Sequence, residues 1–344
     1  MNLSESPLRS IALALVADSK GILAADESLP SIEKRFKSIN IPSTEENRRA
    51  YREMLFSAEG IAESINGVIL FDETLRQKAS DGTPFAEVLQ RQGLIPGIKV
   101  DKGTKPLALA EGELIAEGLD GLRERLQEYR ELGAKFAKYR CAIKIGPNIP
   151  SIGCINANAH VLARYAALCQ ETGILPIIEP EVEMNGDHDI ERCFEVTELT
   201  LRSTFAQLCE QRVVPEDVLL KTNMVLPGKG HSQQSSADEI ADYTLRCFAR
   251  SVPAAIPGIV FLSGGQSESQ ATANLNAIIA RGASAPWKLS FSFGRALQDS
   301  ALKTWKGEQN NVSEARKAFI HRAKLNSLAQ SGLYKEEMER EVAA

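Results

Sequence analysis

The stretch "VLLKTNMVLPGKGHSQQSSADEIADYTLRCFARSVPAAIPGIVFLSG", residues 218–264, contains two apolar runs separated by a long amphipathic segment. The runs 218–225 and 258–264 have the length and composition of buried β-strands. Segment 236–252 mixes charged and apolar residues at helical spacing. A strand, a helix and a second strand in this order are typical of parallel pairing, because the helix returns the chain to the starting edge of the sheet.

This unit recurs along the chain, with a second clear helical pattern at 118–133. The candidate strands are 21–26, 67–72, 95–100, 135–145, 174–181, 218–225, 258–264 and 287–294. A count of eight favours a closed barrel over an open doubly wound sheet. The predicted fold class is therefore α/β, a (β/α)8 TIM barrel. We expect residues 1–344 to form a single domain with extra helices at both ends and a mobile tail from about residue 335.

Composition and net charge exclude several classes of function. The chain has 344 residues, 43% of them hydrophobic, and a formal net charge of −5, so it carries no basic surface typical of nucleic-acid or membrane binding. Its six cysteines lack CxxC spacing, which indicates reduced thiols in a cytoplasmic protein. The first residues lack a cleavable-signal pattern, and no apolar run reaches membrane-spanning length.

Lys221 lies in the middle of the apolar run 218–225. It shares parity with Leu219 and Asn223, so the three side chains lie on the same face of the strand. Inside a barrel, the low dielectric disfavours the ammonium form, and a neutral amine can attack a carbonyl to form a Schiff base. From this stretch alone, a lysine that reaches out to solvent, or one paired structurally with a carboxylate, is the more common explanation.

Glu179, Glu181 and Glu183 recur at period two in "EPEVE", so they lie on one face. Two adjacent carboxylates do not ionise independently, and one tends to keep a proton and act as an acid. We expect Glu179 and Glu181 to serve this way and Glu183 to be an exposed loop charge. Salt bridges to nearby lysines are the structural alternative.

Other predicted strands also carry charged residues near their ends. These residues are Asp26 and Glu27 of the first strand, Lys99 and Asp101 of the third, and Lys138 and Arg140 of the fourth. Each alone could be a structural ion pair. Bringing so many charged groups together at one end of the barrel costs free energy, unless the groups bind a ligand.

Two segments have the composition of phosphate sites. "LSGGQS" places Ser263, Gly264 and Gly265 just after the seventh candidate strand, and "SFSFGRAL" places Gly294 and Arg295 just after the eighth. Glycines let backbone amides approach an oxyanion, and an arginine can bind it with two donors. The loops after strands seven and eight are the usual phosphate-binding loops of this barrel.

The remaining polar motifs are weak. "GKG" (228–230) lacks the other residues of a Walker loop, and we interpret it as a flexible loop. "GDHD" (186–189) predicts a polar turn better than a cation site. The four histidines form neither HxH nor HExxH, and no dinucleotide GxGxxG is present, so we expect neither a metal nor a cofactor.

Many motifs closely resemble those of class I fructose-1,6-bisphosphate aldolase, in order, from about residue 18 to about residue 334. They are "KGILAADES", "NRRAYRE", "GVILFDETL", "GIKVDKG", "FAKYRCAIKIG", "NAHVLARYA", "PIIEPEVEMNGDHD", "LLKTNMVLPG", "GIVFLSGGQSE" and "LSFSFGRALQ". The resemblance implies a (β/α)8 barrel, usually a homotetramer, that binds a sugar bisphosphate and uses no metal. It also implies reversible cleavage of fructose 1,6-bisphosphate to dihydroxyacetone phosphate and glyceraldehyde 3-phosphate, in glycolysis, gluconeogenesis or the Calvin cycle. Sedoheptulose 1,7-bisphosphate is a possible second substrate.

The resemblance also implies roles for individual residues. Lys221 would form the Schiff base, and Glu179, supported by Glu181, would be the acid and base at the imine. Lys138 would stabilise charge beside the carbinolamine and favour the neutral amine of Lys221. Asp26 would orient and deprotonate the C4 hydroxyl.

Two further groups of residues would hold the phosphates. The C1 phosphate would be bound by Ser263, Gly264, Gly294 and Arg295, with Gly265, Ser292 and Arg35 counted among the phosphate-binding residues. Ser28, Ser31, Lys99 and Arg140 would face the far end of the sugar and its C6 phosphate.

The chain departs from the family pattern in several places. Tyr139 replaces a common tryptophan, and Thr222 follows the lysine where proline is common. Leu29-Pro30 stands where Thr-Gly is common, which predicts a stiffer phosphate loop. The chain ends in "EREVAA", without the C-terminal tyrosine that assists proton exchange in vertebrate and plant members, so the protonation route is an open question.

Three alternatives differ from this hypothesis. A transaldolase-like enzyme would act on a sugar with one phosphate, whereas two phosphate cradles are predicted here. A barrel used as a scaffold or cytoskeletal binding partner would not need Lys221, Glu179 and Asp26 together. A metal-dependent aldolase would lose activity on chelation, whereas we expect full activity in EDTA.

Overall fold

The structure, a computed structural model, describes residues 6–340. Its strands are β1 (Gly21–Ala25), β2 (Ile65–Leu70), β3 (Ile95–Lys99), β4 (Thr104–Pro106), β5 (Leu114–Ala116), β6 (Phe136–Ile143), β7 (Leu175–Val182), β8 (Leu219–Thr222), β9 (Gly258–Phe261) and β10 (Lys288–Phe293). All but β4 and β5 form a closed parallel barrel in the order β1-β10-β9-β8-β7-β6-β3-β2. Because β1 pairs with both β2 and β10, the sheet has no free edge.

The barrel confirms the predicted fold class and all eight candidate strands. The strand predicted at 218–225 is shorter than expected. Beyond Thr222, side chains rather than neighbouring strands form the hydrogen bonds to the backbone. The amide of Val182 donates to Oδ1 of Asn223 (2.9 Å), and the amide of Val225 donates to Oγ1 of Thr244 (2.9 Å). Sequence reasoning missed the short antiparallel hairpin of β4 and β5.

Helices surround the barrel. They are α1 (Pro7–Leu15), α2 (Leu29–Lys37), α3 (Glu45–Phe56), α4 (Asp72–Arg76), α5 (Phe85–Arg91), α6 (Leu122–Glu131), α7 (Ile152–Thr172), α8 (Ile190–Glu210), α9 (Ala237–Ser251), α10 (Glu268–Arg281), α11 (Arg295–Trp305) and α12 (Val312–Gln330). Helices α6 and α9 confirm the two amphipathic patterns. Ser236 caps α9 by accepting from the amide of Glu239, which explains why the helix begins there.

The lower half of the barrel interior is apolar. Its buried core includes Leu175, Ile177, Leu219 and Val260, and residues of α1 pack against it from below. Leu219 therefore points into the barrel, and Lys221, two residues further along the same strand, points the same way. The parity argument for Lys221 is thus confirmed.

The C-terminal segment packs against α12. Residues Glu336–Arg340 form a short 3-10 helix, and Glu339 accepts hydrogen bonds from Arg322 (2.7 Å) and from the hydroxyl of Tyr334 (2.7 Å). These contacts hold the first part of the predicted tail on the protein. The rest of that tail, 341–344, lies outside the described residues, and its mobility stays a prediction.

All six cysteines are free thiols, and only Cys209 is exposed. This agrees with the predicted absence of a disulfide framework. Within residues 6–340, no helix has both the length and the apolar character needed to cross a bilayer.

Candidate active site

A cavity of about 1300 Å³ opens at the carboxyl ends of the barrel strands. It is lined by almost every residue predicted for the site: Asp26, Ser28, Ser31, Arg35, Lys99, Lys138, Arg140, Glu179, Glu181, Lys221, Ser263, Gly264, Ser292, Gly294 and Arg295. Gly265 is the exception, since it lies beside the cavity rather than on its wall. Side chains from strands far apart in sequence converge here because parallel strands present their carboxyl ends at one rim.

Lys221 is buried in this cavity, with 4% of its surface exposed. Its Nζ lies 3.1 Å from Oε1 of Glu179, on the neighbouring strand β7. The alternative that the amine reaches out to solvent is therefore wrong. The amine has a carboxylate partner, but the pair faces an open cavity rather than a filled core.

Lys138 links the carboxylates of Asp26 and Glu179. Its Nζ lies 2.7 Å from Oδ2 of Asp26 and 2.9 Å from Oε2 of Glu179, and it is 3% exposed. Glu179 thus contacts a lysine with each of its two oxygens. Asp26, Lys138, Glu179 and Lys221 form a continuous chain in which carboxylates and amines alternate, which we call the charge chain.

These contacts determine the ionisation of the two acids. Burial acts to raise the pKa of Asp26, but Lys138 and then Lys221 act against it, and the pKa falls to about 2. The same balance of burial against Lys138, Lys221 and Arg140 leaves the pKa of Glu179 below its ordinary value. Burial disfavours the charged form of Lys138, but Asp26 and Glu179 raise its pKa. In the unliganded site, both acids are carboxylates at neutral pH.

Glu179 is therefore not the member of the Glu179–Glu181 pair that keeps a proton, and the expectation of a shared proton stays a prediction. Glu181 has its own cation, because it accepts a hydrogen bond from Nε of Arg140. Glu183 was expected to be an exposed loop charge, but it is largely buried and lies 3.3 Å from Nη2 of Arg140. Lys138 and Lys221 contact Glu179, whereas Arg140 contacts Glu181 and Glu183, so the two members of the pair have different basic partners.

The far side of the cavity carries a second group of polar residues. Nζ of Lys99 lies 2.5 Å from Oδ1 of Asp101, and Oδ2 of Asp101 accepts from the amide of Arg140 (3.1 Å). The hydroxyls of Ser28 and Ser31 lie 3.1 Å apart at the start of α2. Leu29 and Pro30 occupy the first turn of that helix, so the stiffer loop predicted from Leu29-Pro30 is a helix start.

A buried ion network behind the site was missed by sequence reasoning. Glu27 pairs with Arg35 and, at 2.6 Å, with Arg52. Arg35 also lies 3.4 Å from both Gln298 and Asp299. Arg35 lines the cavity as predicted, but its guanidinium is already engaged. The segments "NRRAYRE" and "GRALQD" carry Arg52, Gln298 and Asp299, and nothing in their local pattern indicates that they meet Arg35 and Glu27.

The opposite side holds the glycine-rich loops. Gly264 and Gly265 follow β9 with φ values of +58° and +94°, a backbone region that glycine adopts readily. Within residues 6–340, their amides donate no hydrogen bond. Helix α11 begins at Arg295, so its first amides also face this side. Oγ of Ser292 is buried without a partner among the described residues and lines the cavity.

The loop at 228–230 is not flexible in the way predicted. The amides of Gly228, Lys229 and Gly230 donate to carbonyls of the 184–188 loop at 2.8–2.9 Å. In the "GDHD" turn, Asp189 caps α8 by accepting from the amide of Arg192 (2.8 Å). This agrees with the predicted polar turn.

Comparisons with known proteins agree with this geometry. The family model described as fructose-bisphosphate aldolase class-I matches residues 7–344. A probable fructose-bisphosphate aldolase class 1 of Xanthomonas campestris is 56% identical over 334 residues, covering 97% of this chain and 100% of that protein. Cytosolic fructose-bisphosphate aldolase 6 of Arabidopsis thaliana is 54% identical over 92% of this chain and 88% of its own length.

A solved structure agrees as well. Fructose-bisphosphate aldolase from Plasmodium falciparum, crystallised with TRAP and a small-molecule inhibitor, superposes with a TM-score of 0.94. It is 46% identical in sequence and the match covers 95% of both chains. The chain therefore belongs to the class-I fructose-bisphosphate aldolase family.

Proposed function

We propose that this aldolase cleaves fructose 1,6-bisphosphate reversibly through a Schiff base on Lys221. The observation that carries the proposal is the charge chain, in which a buried amine lies against one carboxylate and a second lysine joins that carboxylate to another. Residues suited to phosphate lie on both sides of it, with glycine amides and Arg295 on one side and Lys99 and Arg140 on the other.

The first half of the reaction uses Lys221 and Glu179. The amine attacks the C2 carbonyl of the open-chain ketose and forms a carbinolamine. The proton that the ammonium of Lys221 loses before the attack needs to travel only 3.1 Å to Oε1 of Glu179, and the proton that the nitrogen loses after the attack passes to the C2 oxygen of the carbinolamine. Glu179 can return the first of these protons to the departing hydroxyl, so water leaves and a protonated imine remains.

The second half uses Asp26. Its carboxylate takes the proton of the C4 hydroxyl, the C3–C4 bond breaks, and the electron pair of that bond moves into the imine. Glyceraldehyde 3-phosphate is released and a neutral enamine stays on Lys221. Protonation at C3 followed by hydrolysis of the imine gives dihydroxyacetone phosphate and restores the amine. Lys138, charged and fixed between Asp26 and Glu179, stabilises the negative charge that develops during each transfer.

Borohydride reduction in the presence of dihydroxyacetone phosphate tests the central step. Mass spectrometry of the digested protein should place a single reduced adduct on Lys221. Lys221→Ala should lose cleavage while retaining the wild-type circular dichroism spectrum. Lys317→Ala, which changes a half-exposed lysine paired with Glu314, is the matched control and should remain active. An adduct on another lysine, or substantial turnover by Lys221→Ala, refutes the proposal.

Chelation separates this mechanism from a metal-dependent one. Activity should be unchanged after dialysis against EDTA, since no step above requires a metal. Loss of activity that zinc restores would contradict the proposal. Sedoheptulose 1,7-bisphosphate shares the C1 phosphate and the ketone, so it is the second substrate to assay.

We also propose a cytoplasmic homotetramer. The cytosolic naming of the Arabidopsis relative supports the location, and the family's usual assembly supports the tetramer. The scattered exposed leucines, such as Leu13 and Leu199, do not by themselves identify an interface. Sedimentation velocity should give a species four times the mass of the 37.5 kDa chain, and a monomer would contradict the proposal.

A further inference from the structure

The loop at 228–230 holds Lys229 in a defined place. Its three amides donate to the carbonyls of His188, Met184 and Gly186 in the neighbouring loop. A Cβ on Gly228 would overlap the carbonyl oxygen of Gly186, so the two backbones are in direct contact. The loop is therefore fixed at three consecutive residues, and Lys229 starts from a rigid base.

The side chain of Lys229 reaches the glycine-rich loop. A Cβ built on Gly265 would overlap Nζ of Lys229 and would lie 3.0 Å from Nη2 of Arg295. The ammonium and the guanidinium thus meet over the same glycine. Two cations at this separation repel each other, and partial burial together with Arg295 lowers the pKa of Lys229.

Neither cation has an anionic partner. Among residues 6–340, no carboxylate lies within 4 Å of the charged atoms of Lys229 or Arg295. The other basic side chains of the site differ, since Lys138, Arg140 and Lys221 each contact at least one carboxylate. A pair of unneutralised cations is stabilised when a ligand supplies the negative charge.

The surrounding groups favour an oxyanion at this point. The amides of Gly264 and Gly265 are free among the described residues, and α11 presents its N-terminus. The hydroxyl of Ser292, 1% exposed and without a described partner, lines the cavity beside Gly265. Hydroxyl, amide and cationic donors together match the oxygens of a phosphate monoester.

We propose that Lys229 is an additional phosphate-binding residue, which closes over the C1 phosphate from the side opposite the cavity wall. This rests on the proposed function, because it assumes a phosphorylated ketose on Lys221. Lys229 does not touch the reacting carbons, so its contribution is to binding rather than to bond cleavage. The "GKG" motif thus has a role for which its own sequence gave no signal.

Schiff-base trapping with two ketones tests this inference. Wild type, Lys229→Ala, Lys229→Arg and the control Lys317→Ala are reduced with borohydride at increasing concentrations of dihydroxyacetone phosphate or of unphosphorylated dihydroxyacetone. For Lys229→Ala, the half-saturating concentration of the phosphate ester should rise about tenfold, the effect of losing one exposed charge-assisted contact. The value for dihydroxyacetone should stay within about twofold, and Lys229→Arg should lie close to wild type.

The outcomes distinguish the two proposals. If wild type forms no adduct with either ketone, the Schiff-base function itself fails. If wild type forms the adduct and Lys229→Ala keeps the wild-type half-saturation for the phosphate ester, only the role of Lys229 is overturned. An equal loss with both ketones also overturns it, because a phosphate contact cannot affect a ligand that has no phosphate.

Discussion

Lys138→Met is the substitution that best tests how the charge chain is balanced. In the native protein, Asp26, Lys138, Glu179 and Lys221 carry two negative and two positive charges when both amines are protonated. Methionine has a similar length but no charge, so the variant leaves two buried carboxylates with one ammonium. We expect the protein to become much less stable at neutral pH because an unpaired buried carboxylate is costly.

The expected loss of stability follows from the lowered pKa values of Asp26 and Glu179. Lowering the pKa of Asp26 from 3.8 to about 2 corresponds to about 2 kcal/mol of stability at neutral pH. Lys138 is the strongest of the cations acting on Asp26 and also on Glu179, whose pKa is likewise lowered. The free energy of unfolding should therefore fall by about 3–5 kcal/mol, the range for breaking a buried ion pair from one side.

Urea titration at pH 7 measures this loss. Trp287 and Trp305 are both buried, so their fluorescence reports unfolding, and circular dichroism provides an independent probe. The double variant Lys138→Met/Asp26→Asn restores charge neutrality and should regain at least about 1–2 kcal/mol. A single variant within about 1 kcal/mol of wild type, or a double variant less stable than the single one, would refute the reasoning.

Three further predictions concern stability. The stabilisation from Asp26 is nearly complete at pH 5, above the ordinary pKa of 3.8, and is lost as the pH falls through about 2, so the advantage of wild type over Asp26→Asn in urea titrations should shrink by about 1.5 kcal/mol between pH 5 and pH 2.5; a constant difference would contradict this. The hydroxyl of Tyr139 is buried with no partner among the described residues, so Tyr139→Phe should raise the free energy of unfolding by about 1 kcal/mol, and a lower melting temperature would count against it. A Cβ on Gly97 would overlap the ring of Phe136, so Gly97→Ala should cost about 1–3 kcal/mol by urea titration, whereas wild-type stability would show that the ring can move aside.

The fold was predictable because its signals are local. Each barrel strand is a short apolar run, and the parity of Leu219 and Lys221 correctly places the lysine inside. The hairpin of β4 and β5 was missed because its strands have three residues each, too few to show an alternating buried pattern.

The sequence predicted which residues form the site better than it predicted the ion pairs and ionisation of those residues. Period two correctly groups Glu179 with Glu181, but the pattern cannot show that each faces a different cation. Likewise, "GKG" carries no sign that Lys229 reaches Gly265, since that contact depends on backbone hydrogen bonds between two loops about forty residues apart in sequence. Ionisation and loop placement come from three-dimensional proximity, which one sequence does not encode locally.

Apolar packing beneath the charge chain closes the lower end of the barrel and forms the floor of the cavity. Leu175, Ile177, Leu219 and Val260 fill that floor, and α1 seals it from outside. A ketose therefore enters from the rim, and both of its fragments leave through the same opening. On the proposed mechanism, the triose bound to Lys221 at the bottom leaves only after the free triose above it has departed, so the closed lower end of the barrel fixes the order of product release.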